Sequence, residues 1–447
     1  MIAIVVSRAD RASEHIGDRL LDLVDWTERT DDGRADGDGG GSYWTTDGFK
    51  LRTFNDLHLE VDDAAGAFGD HPDLLLFVSR HSGDTGPLLT GHFTGNFGAA
   101  EYGGEDRDLA RAAPNALSVL YAAFERYAPA AYDVAVEGTH HGPTAVGCPS
   151  LFVELGSDDE QWDDPAGATA VARAVLALRG VAPDRERTVV GVGGGHYAPR
   201  FERVLAETPW AVGHVLSDWQ LDALGHPEAH RDVVAQLFAE SDAELALLDG
   251  DYPQLEAVVE DLGYRTVGET WLREVGAKPL DRVAALEDAL CPVEEGLRFG
   301  EVDLDGEFVV VALPTALLDA ARAVDADATR RAVFDAALAV ETVESGNRVA
   351  GRAALLPGSY DGVVDDLVGI LRAEYDEVVR EDGVVRVTEA AFDPSAAAAL
   401  GIPEGPEFGR LADGEAVEVD GETVPPEAVS TERTHEYDVA PGDHVGV

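Results

Sequence analysis

The sequence predicts an α/β protein: a mostly parallel sheet with helices on both faces, followed by a C-terminal α+β domain. Three observations lead there. Over roughly the first 275 residues, short apolar runs alternate with amphipathic stretches of helical period, the signature of βαβ units. Beyond Lys278-Pro279 that rhythm stops, and histidine is absent until His435. The length of 447 residues, with 45% hydrophobic residues, is enough for two or three domains with real cores. We therefore read residues 1–280 as one domain and residues 281–447 as a second.

The first strand is Ile2–Val6, a continuous apolar run at the start of the chain. Leu74–Val78, Tyr132–Val136, Leu151–Leu155, Val189–Val192, Ala211–Leu216 and Leu245–Leu248 are further strands by the same criterion. Helical spacing of apolar residues marks Leu109–Tyr127, Pro165–Arg179, Pro199–Ala206, Pro227–Ala239 and Tyr252–Gly263. Between Asp31 and Ser42 stand five Gly and four Asp, which predicts a flexible surface loop. In the second domain, Ala316–Glu341 reads as an acidic helix and Glu307–Leu313 as a strand. The turn-rich stretch from Leu400 to Pro426 reads as hairpins.

The charge excludes whole classes of partner. There are 33 Lys plus Arg against 86 Asp plus Glu, a net charge of −53, and Lys50 and Lys278 are the only lysines. The acidity runs along the whole chain, as in proteins adapted to very high salt, where a screening length of ~3 Å removes most self-repulsion. Such a surface is expected to bind neither DNA nor an anionic membrane. Cys148 and Cys291 are too few for a disulfide framework or a cysteine zinc site. The opening run Met1–Val6 is too short for the core of a signal peptide, and no later run is long enough to span a bilayer. A soluble, cytoplasmic monomer is the expectation.

Histidine placement carries the chemistry. Of the thirteen, six lie between positions 81 and 214. His81, the pair His140-His141, and His196 each follow a predicted strand in a Gly-flanked segment, and His214 lies inside the sixth strand. Ligands of open parallel sheets bind at the carboxyl ends of the strands, so these segments should converge there. Glu154 closes the fourth strand and adds a carboxylate. Histidines with one or two carboxylates are a donor set for Zn²⁺, which acidifies water and polarises a carbonyl oxygen, so the implied reaction is hydrolysis of an ester or amide. Adjacent residues of an extended segment point apart, so His140 and His141 can both face one ion only from a turn. His15, His58, His71, His226 and His230 read as structural. Gly193-Gly194-Gly195 also suits a phosphate-cradling loop ahead of a helix.

Six motifs in this order resemble the archaeal and plant-type D-aminoacyl-tRNA deacylases: Ser79-Arg-His-Ser82, Thr94-Gly-Asn-Phe-Gly98, Thr139-His-His-Gly-Pro-Thr144, Pro149–Ser157, Gly193–Pro199 and Gly213-His214. The resemblance covers about residues 1–275. It implies a phosphorylase/hydrolase-like α/β fold, two zinc ions, tolerance of many D-amino acid side chains, and release of free D-amino acid from tRNA. The Asp31–Ser42 loop and residues 281–447 lie outside the pattern.

The expected mechanism uses zinc held by some of His81, His140, His141, Glu154, His196 and His214. Activated water attacks the ester carbonyl on the terminal ribose, with Glu137 as general base and His140 and Ser82 as further catalytic residues. Ser82, Thr139 and Asn96 are expected to hydrogen-bond the substrate's amino group or the developing oxyanion. Arg80 and Arg200 are the expected tRNA contacts; exposed partners of carboxylates is their plainer reading. Two other functions use the same residues: a zinc amidase or carboxypeptidase acting on small peptides, and a non-catalytic tRNA-binding protein with structural zinc. Open Gly-rich segments favour catalysis over a closed structural site.

Overall fold

The computed structural model describes residues 1–447 apart from 70, 376, 420, 441–444 and 447. The chain forms two compact units, Met1–Gly276 and Ala277–Val447.

The first unit is built on an eight-stranded sheet. Its strands are β1 (Ile2–Ser7), β2 (Thr27–Asp31), β3 (Gly41–Thr46), β4 (Phe49–Phe54), β5 (Leu74–Arg80), β6 (Leu88–His92), β7 (Asp133–Val136) and β8 (Ser150–Gly156). They lie in the order β2-β3-β4-β1-β5-β8-β6-β7. β4, β1, β5 and β8 run parallel, the β2–β3 hairpin closes one edge antiparallel, and β6 runs antiparallel to β8. Every residue of β1 and β8 is buried, which accounts for their unbroken apolar character.

Alternation along the strands separates two faces. Ile4, Val6, Leu76, Val78, Val153 and Leu155 pack against helices α1 (Arg11–Leu23), α2 (Pro114–Tyr127) and α4 (Pro165–Ala177). The short helix α3 (Asp159–Trp162) precedes α4. Asp10 starts α1 by accepting from the amides of Ala12 and Ser13, and Asp164 does the same for α4 at Ala166. Burying each large apolar side chain on this face contributes roughly 1.5–3 kcal/mol. The opposite face carries Val5, Phe77 and Phe152 beneath the short 3-10 turns His58–Glu60 and Ala64–Ala67. The next residues on this face are polar: Ser79 pairs with Glu154, Thr90 with Glu154, and His92 with Phe152.

The later strands form a separate sheet, not a continuation of the first. β9 (Thr188–Gly193), β10 (Ala211–Leu216), β11 (Leu245–Asp249) and β12 (Arg265–Val267) run parallel in the order β10-β9-β11-β12. Between them lie α5 (Pro199–Glu207), α6 (Asp218–Leu224), α7 (Arg231–Ala239) and α8 (Pro253–Asp261). Val190, Val192, Leu237, Phe238 and Val258 form one core of this sheet.

In the second unit the sheets are antiparallel. The span read as one helix, Ala316–Glu341, is instead two helices, Thr315–Val324 and Ala326–Phe334, and a strand, Ala337–Val343. Asp325 ends the first helix and caps the second by accepting from Ala328, and the strand is buried between neighbours. Of the stretch read as hairpins, Pro406–Ala412 is helical, and Val417–Val419 pairs antiparallel with Glu422–Val424. Among the described residues no helix is long and apolar enough to cross a membrane.

Candidate active site

The site lies on the polar face of the first sheet, not beyond the carboxyl ends of a single sheet. Glu154 is interior to β8, between Ser79 of β5 and Thr90 of β6. His81 follows β5, His92 ends β6, and Glu137, His140 and His141 follow β7. His196 follows β9 in the second sheet, and the segment returns to the first through a bridge between Glu137 and Tyr197.

Local hydrogen bonds decide which imidazole nitrogen faces inward. His140 Nδ1 donates to the Gly138 carbonyl at 2.8 Å, His141 Nδ1 to Gly142 at 2.7 Å, and His92 Nδ1 to Phe93 at 3.0 Å. Each bond fixes the tautomer and leaves Nε2 as a lone pair. His141 adopts φ 44°, a turn conformation that frees the adjacent pair from the alternation of a strand. The His92 and His140 rings are 4.1 Å apart by centroid, His140 and His141 4.4 Å, and His140 and His196 4.9 Å.

Glu137 stands among these rings. His196 Nε2 lies 2.8 Å from Oε2, His81 Nε2 3.5 Å from Oε1 and His140 Nε2 3.7 Å from Oε2. His92 Nε2 lies 3.6 Å from Glu154 Oε1, which Ser79 Oγ also approaches as a donor at 2.9 Å. Burial alone would raise the Glu137 pKa; the imidazoles of His196, His92, His140 and His81 outweigh it and hold the carboxyl well below its usual range. Burial pushes His140 and His141 well below the usual imidazole range. His92 shifts upward, because Glu154 and Glu137 outweigh its burial.

Both Glu137 oxygens and His92 Nε2 are buried without a hydrogen-bond partner of proper geometry. An ionised carboxylate left so would cost several kcal/mol. A metal ion removes that cost, and the donor set suits one. Donor atoms of His81, Glu137 and His196, of His92, His140 and His141, and of His92, Glu137 and Glu154 lie within 4.8 Å of one another in each group. Imidazole nitrogen with carboxylate oxygen is a donor set for a divalent transition-metal ion. A cavity of about 400 Å³ opens over the cluster, walled also by Asp10, Leu57, Arg80, Ser82 and Tyr102.

Of the residues singled out in the sequence, His81, Glu137, His140, His141, Glu154 and His196 come together, and Arg80 and Ser82 line the same cavity. Four do not join them. His214 is fully buried in β10, with Nδ1 on Thr139 Oγ1 at 3.0 Å and Nε2 on the Ala110 carbonyl at 2.8 Å, so it has no free nitrogen for a metal. Thr139 spends its hydroxyl on His214 and on the Val215 amide. Asn96 donates to the Gly103 and Glu105 carbonyls and braces a loop. Arg200 is paired with Asp249 at 3.2 Å and Glu269 at 3.6 Å. His92 was missed; its signal is a histidine closing the apolar run Leu88-Leu-Thr-Gly-His92 just before the Thr94-Gly-Asn turn.

A sequence model of the D-aminoacyl-tRNA deacylase family matches residues 68–267. A D-aminoacyl-tRNA deacylase of Natronomonas pharaonis is 55% identical over 98% of this chain and 100% of its own length. One of Halobacterium salinarum is 54% identical over 98% of this chain and 96% of its own, and one of Methanoregula boonei is 34% identical over 80% and 83%. Among solved structures, a conserved protein of unknown function is 27% identical with a TM-score of 0.55, over 61% of this chain and 96% of its own. Spanning the relatives nearly end to end at such identity, the chain belongs to the D-aminoacyl-tRNA deacylase family.

Proposed function

We propose that this chain hydrolyses the ester bond of D-aminoacyl-tRNA, releasing tRNA and a free D-amino acid of many side-chain types. The observation that carries the reading is the buried Glu137 carboxylate ringed by the imidazoles of His81, His140 and His196 in a cavity large enough for an aminoacyl group. We assign the chemistry to residues 1–280 and treat residues 281–447 as an extension. The chain acts on tRNA and not DNA or membrane, as a cytoplasmic monomer.

Zinc, as two ions, would be held by His81, Glu137 and His196 and by His92 with His140, His141 or Glu154, and would supply Lewis-acid polarisation and water acidification. The chain's own groups do the rest. Carbonyls of Phe93, Gly138 and Gly142 orient the ligand rings. Glu137 belongs to two of the three donor groups and its oxygens face the imidazoles of His81, His140 and His196, so we assign it to the ligand set in place of the base. Ser82 hydrogen-bonds the substrate from the cavity wall. The Arg80 amide donates to Asp10 Oδ2 at 2.9 Å, while its guanidinium has no carboxylate partner among the described residues, rests 5.3 Å from the Trp162 ring, and meets a phosphate.

The test is release of amino acid from D-Tyr-tRNA and L-Tyr-tRNA in molar KCl, with and without a zinc chelator. The expected result is release from the D form alone, abolished by chelation and restored by zinc. Absence of release by folded, zinc-loaded protein overturns the reading.

A further inference from the structure

Among the described Phe, Tyr and Trp residues, only Tyr102 and Trp219 are exposed, at 67% and 45%. Single apolar residues on a surface are ordinary. These two share a place. Tyr102 walls the histidine cavity, and the Trp219 ring is centred 6.4 Å from that of His196. Tyr102 itself and the residue after Trp219 are bonded to the same segment, 139–142. Gly142 donates its amide to the Tyr102 carbonyl at 2.9 Å, and Gln220, next to Trp219 in α6, donates its side chain to the Thr139 carbonyl at 3.1 Å. The rings are thus positioned at the rim and left without cover.

We infer that Tyr102 and Trp219 form a stacking platform for the unpaired 3′-terminal bases of tRNA, an inference that rests on the deacylase reading above. The scissile ester sits on the terminal ribose, so the last base must lie within one nucleotide of the reacting carbonyl, where both rings are. Charge points the same way. The net charge is −53, and Arg200, Arg203 and Arg273 near the second sheet are already in ion pairs. Phosphate contacts weaken steeply with salt, whereas a base stacks on an aromatic face regardless of its identity and without a counter-ion.

The test measures kcat and KM for D-Tyr-tRNA in molar KCl. Tyr102→Ala and Trp219→Ala should each raise KM about tenfold (~1.4 kcal/mol) while kcat moves little. Tyr102→Phe and Trp219→Phe should restore KM to within about twofold, and leucine at either place should not, because only a ring stacks. Independently, uncharged tRNA should quench tryptophan fluorescence of the wild type, and neither tRNA trimmed of its last three nucleotides nor the Trp219→Phe variant should show this. An active wild type whose alanine variants keep KM, or whose leucine variants match phenylalanine, overturns the platform alone. A folded, zinc-loaded wild type that neither binds nor hydrolyses the tRNA overturns the deacylase reading and the platform with it.

Discussion

His58 and His214 are buried outside the donor cluster, and burial is the main reason that both imidazoles titrate at about 4. The unfolded chain binds those protons near pH 6.5. Stability from keeping them neutral is therefore complete above about pH 6.5 and is lost as the pH falls toward 4. Each histidine should cost about 2 kcal/mol of unfolding free energy between roughly pH 6.5 and 5. The measurement is denaturant unfolding of chelator-treated protein in molar KCl across that range. His214→Asn should flatten the slope relative to wild type, and an unchanged slope contradicts the assignment. The same residue shows where the sequence stops being informative. A histidine inside the apolar strand Ala211–Leu216 looks alike whether its nitrogens are free or taken, and here Thr139 and the distant Ala110 carbonyl decide it. His81, His140, His141 and His196 were legible because glycines beside them mark turns at strand ends. His92 was not, because its neighbours Leu88, Leu89 and Phe93 present it as one more core position.

The turn after β7 and the loop after β6 act as one element. Beyond the Gly142–Tyr102 bond, Thr144 Oγ1 accepts from the Glu105 amide and Asn96 holds the Gly103 carbonyl. A Cβ on Gly142 would fall inside the van der Waals shells of the Gly103 carbonyl carbon and the Gly104 nitrogen, both backbone atoms that cannot swing aside. Gly142→Ala should lower stability by ~1–3 kcal/mol, as overpacking does. By displacing His140 and His141 it should also reduce kcat/KM on the order of a hundredfold. Thermal unfolding and kinetics check the two parts, and full activity in the variant would show the turn is not what sets the histidines. At this scale β1, β5, β7, β8, β9, β10 and β11 of the first unit were readable from apolar runs, whereas β2, β3, β4, β6 and β12, shorter or more polar, were not. The partition into two sheets was not readable either, because alternation of apolar and polar positions says which face is buried and nothing about which strand lies alongside. Helix α1 was overlooked although Asp10, Ile16 and Leu20 carry its cap and a clear buried stripe, because polar residues such as Arg11, Glu14, Asp18 and Arg19 dominate its composition. The span Ala316–Glu341 misled in the opposite sense: Ala-rich strands such as Ala337–Val343 have the composition of helices, and tertiary pairing overrides it.

Taken whole, the molecule is a polyanion proposed to bind a polyanion, and salt sets the terms of that encounter. Exposed charges more than about 3 Å apart are largely screened at ~1 M salt, against about 10 Å at 0.1 M. Rising KCl therefore relaxes repulsion between the acidic surface and the tRNA backbone while it weakens each phosphate contact. The number of such contacts fixes the balance, since log K falls by about 0.7–0.9 per unit log salt for each phosphate neutralised. Among the described residues walling the cavity, Arg80 is the one arginine, and its guanidinium has no carboxylate partner among them. Arg200, which the sequence also offered, is tied to Asp249 and Glu269, and nearby Arg203 to Glu269. A site with one free guanidinium and an aromatic rim should thus bind tRNA with a log–log slope near about −1 or shallower, where a basic tRNA-binding surface gives several units. Titration of tRNA into the zinc-loaded protein between about 1 and 3 M KCl measures that slope, with folding verified at each salt. Arg80→Gln should flatten it further by about one unit. A slope of several units, surviving in Arg80→Gln, would mean that the tRNA is held by arginines elsewhere on the chain and that the cavity rim contributes little to affinity.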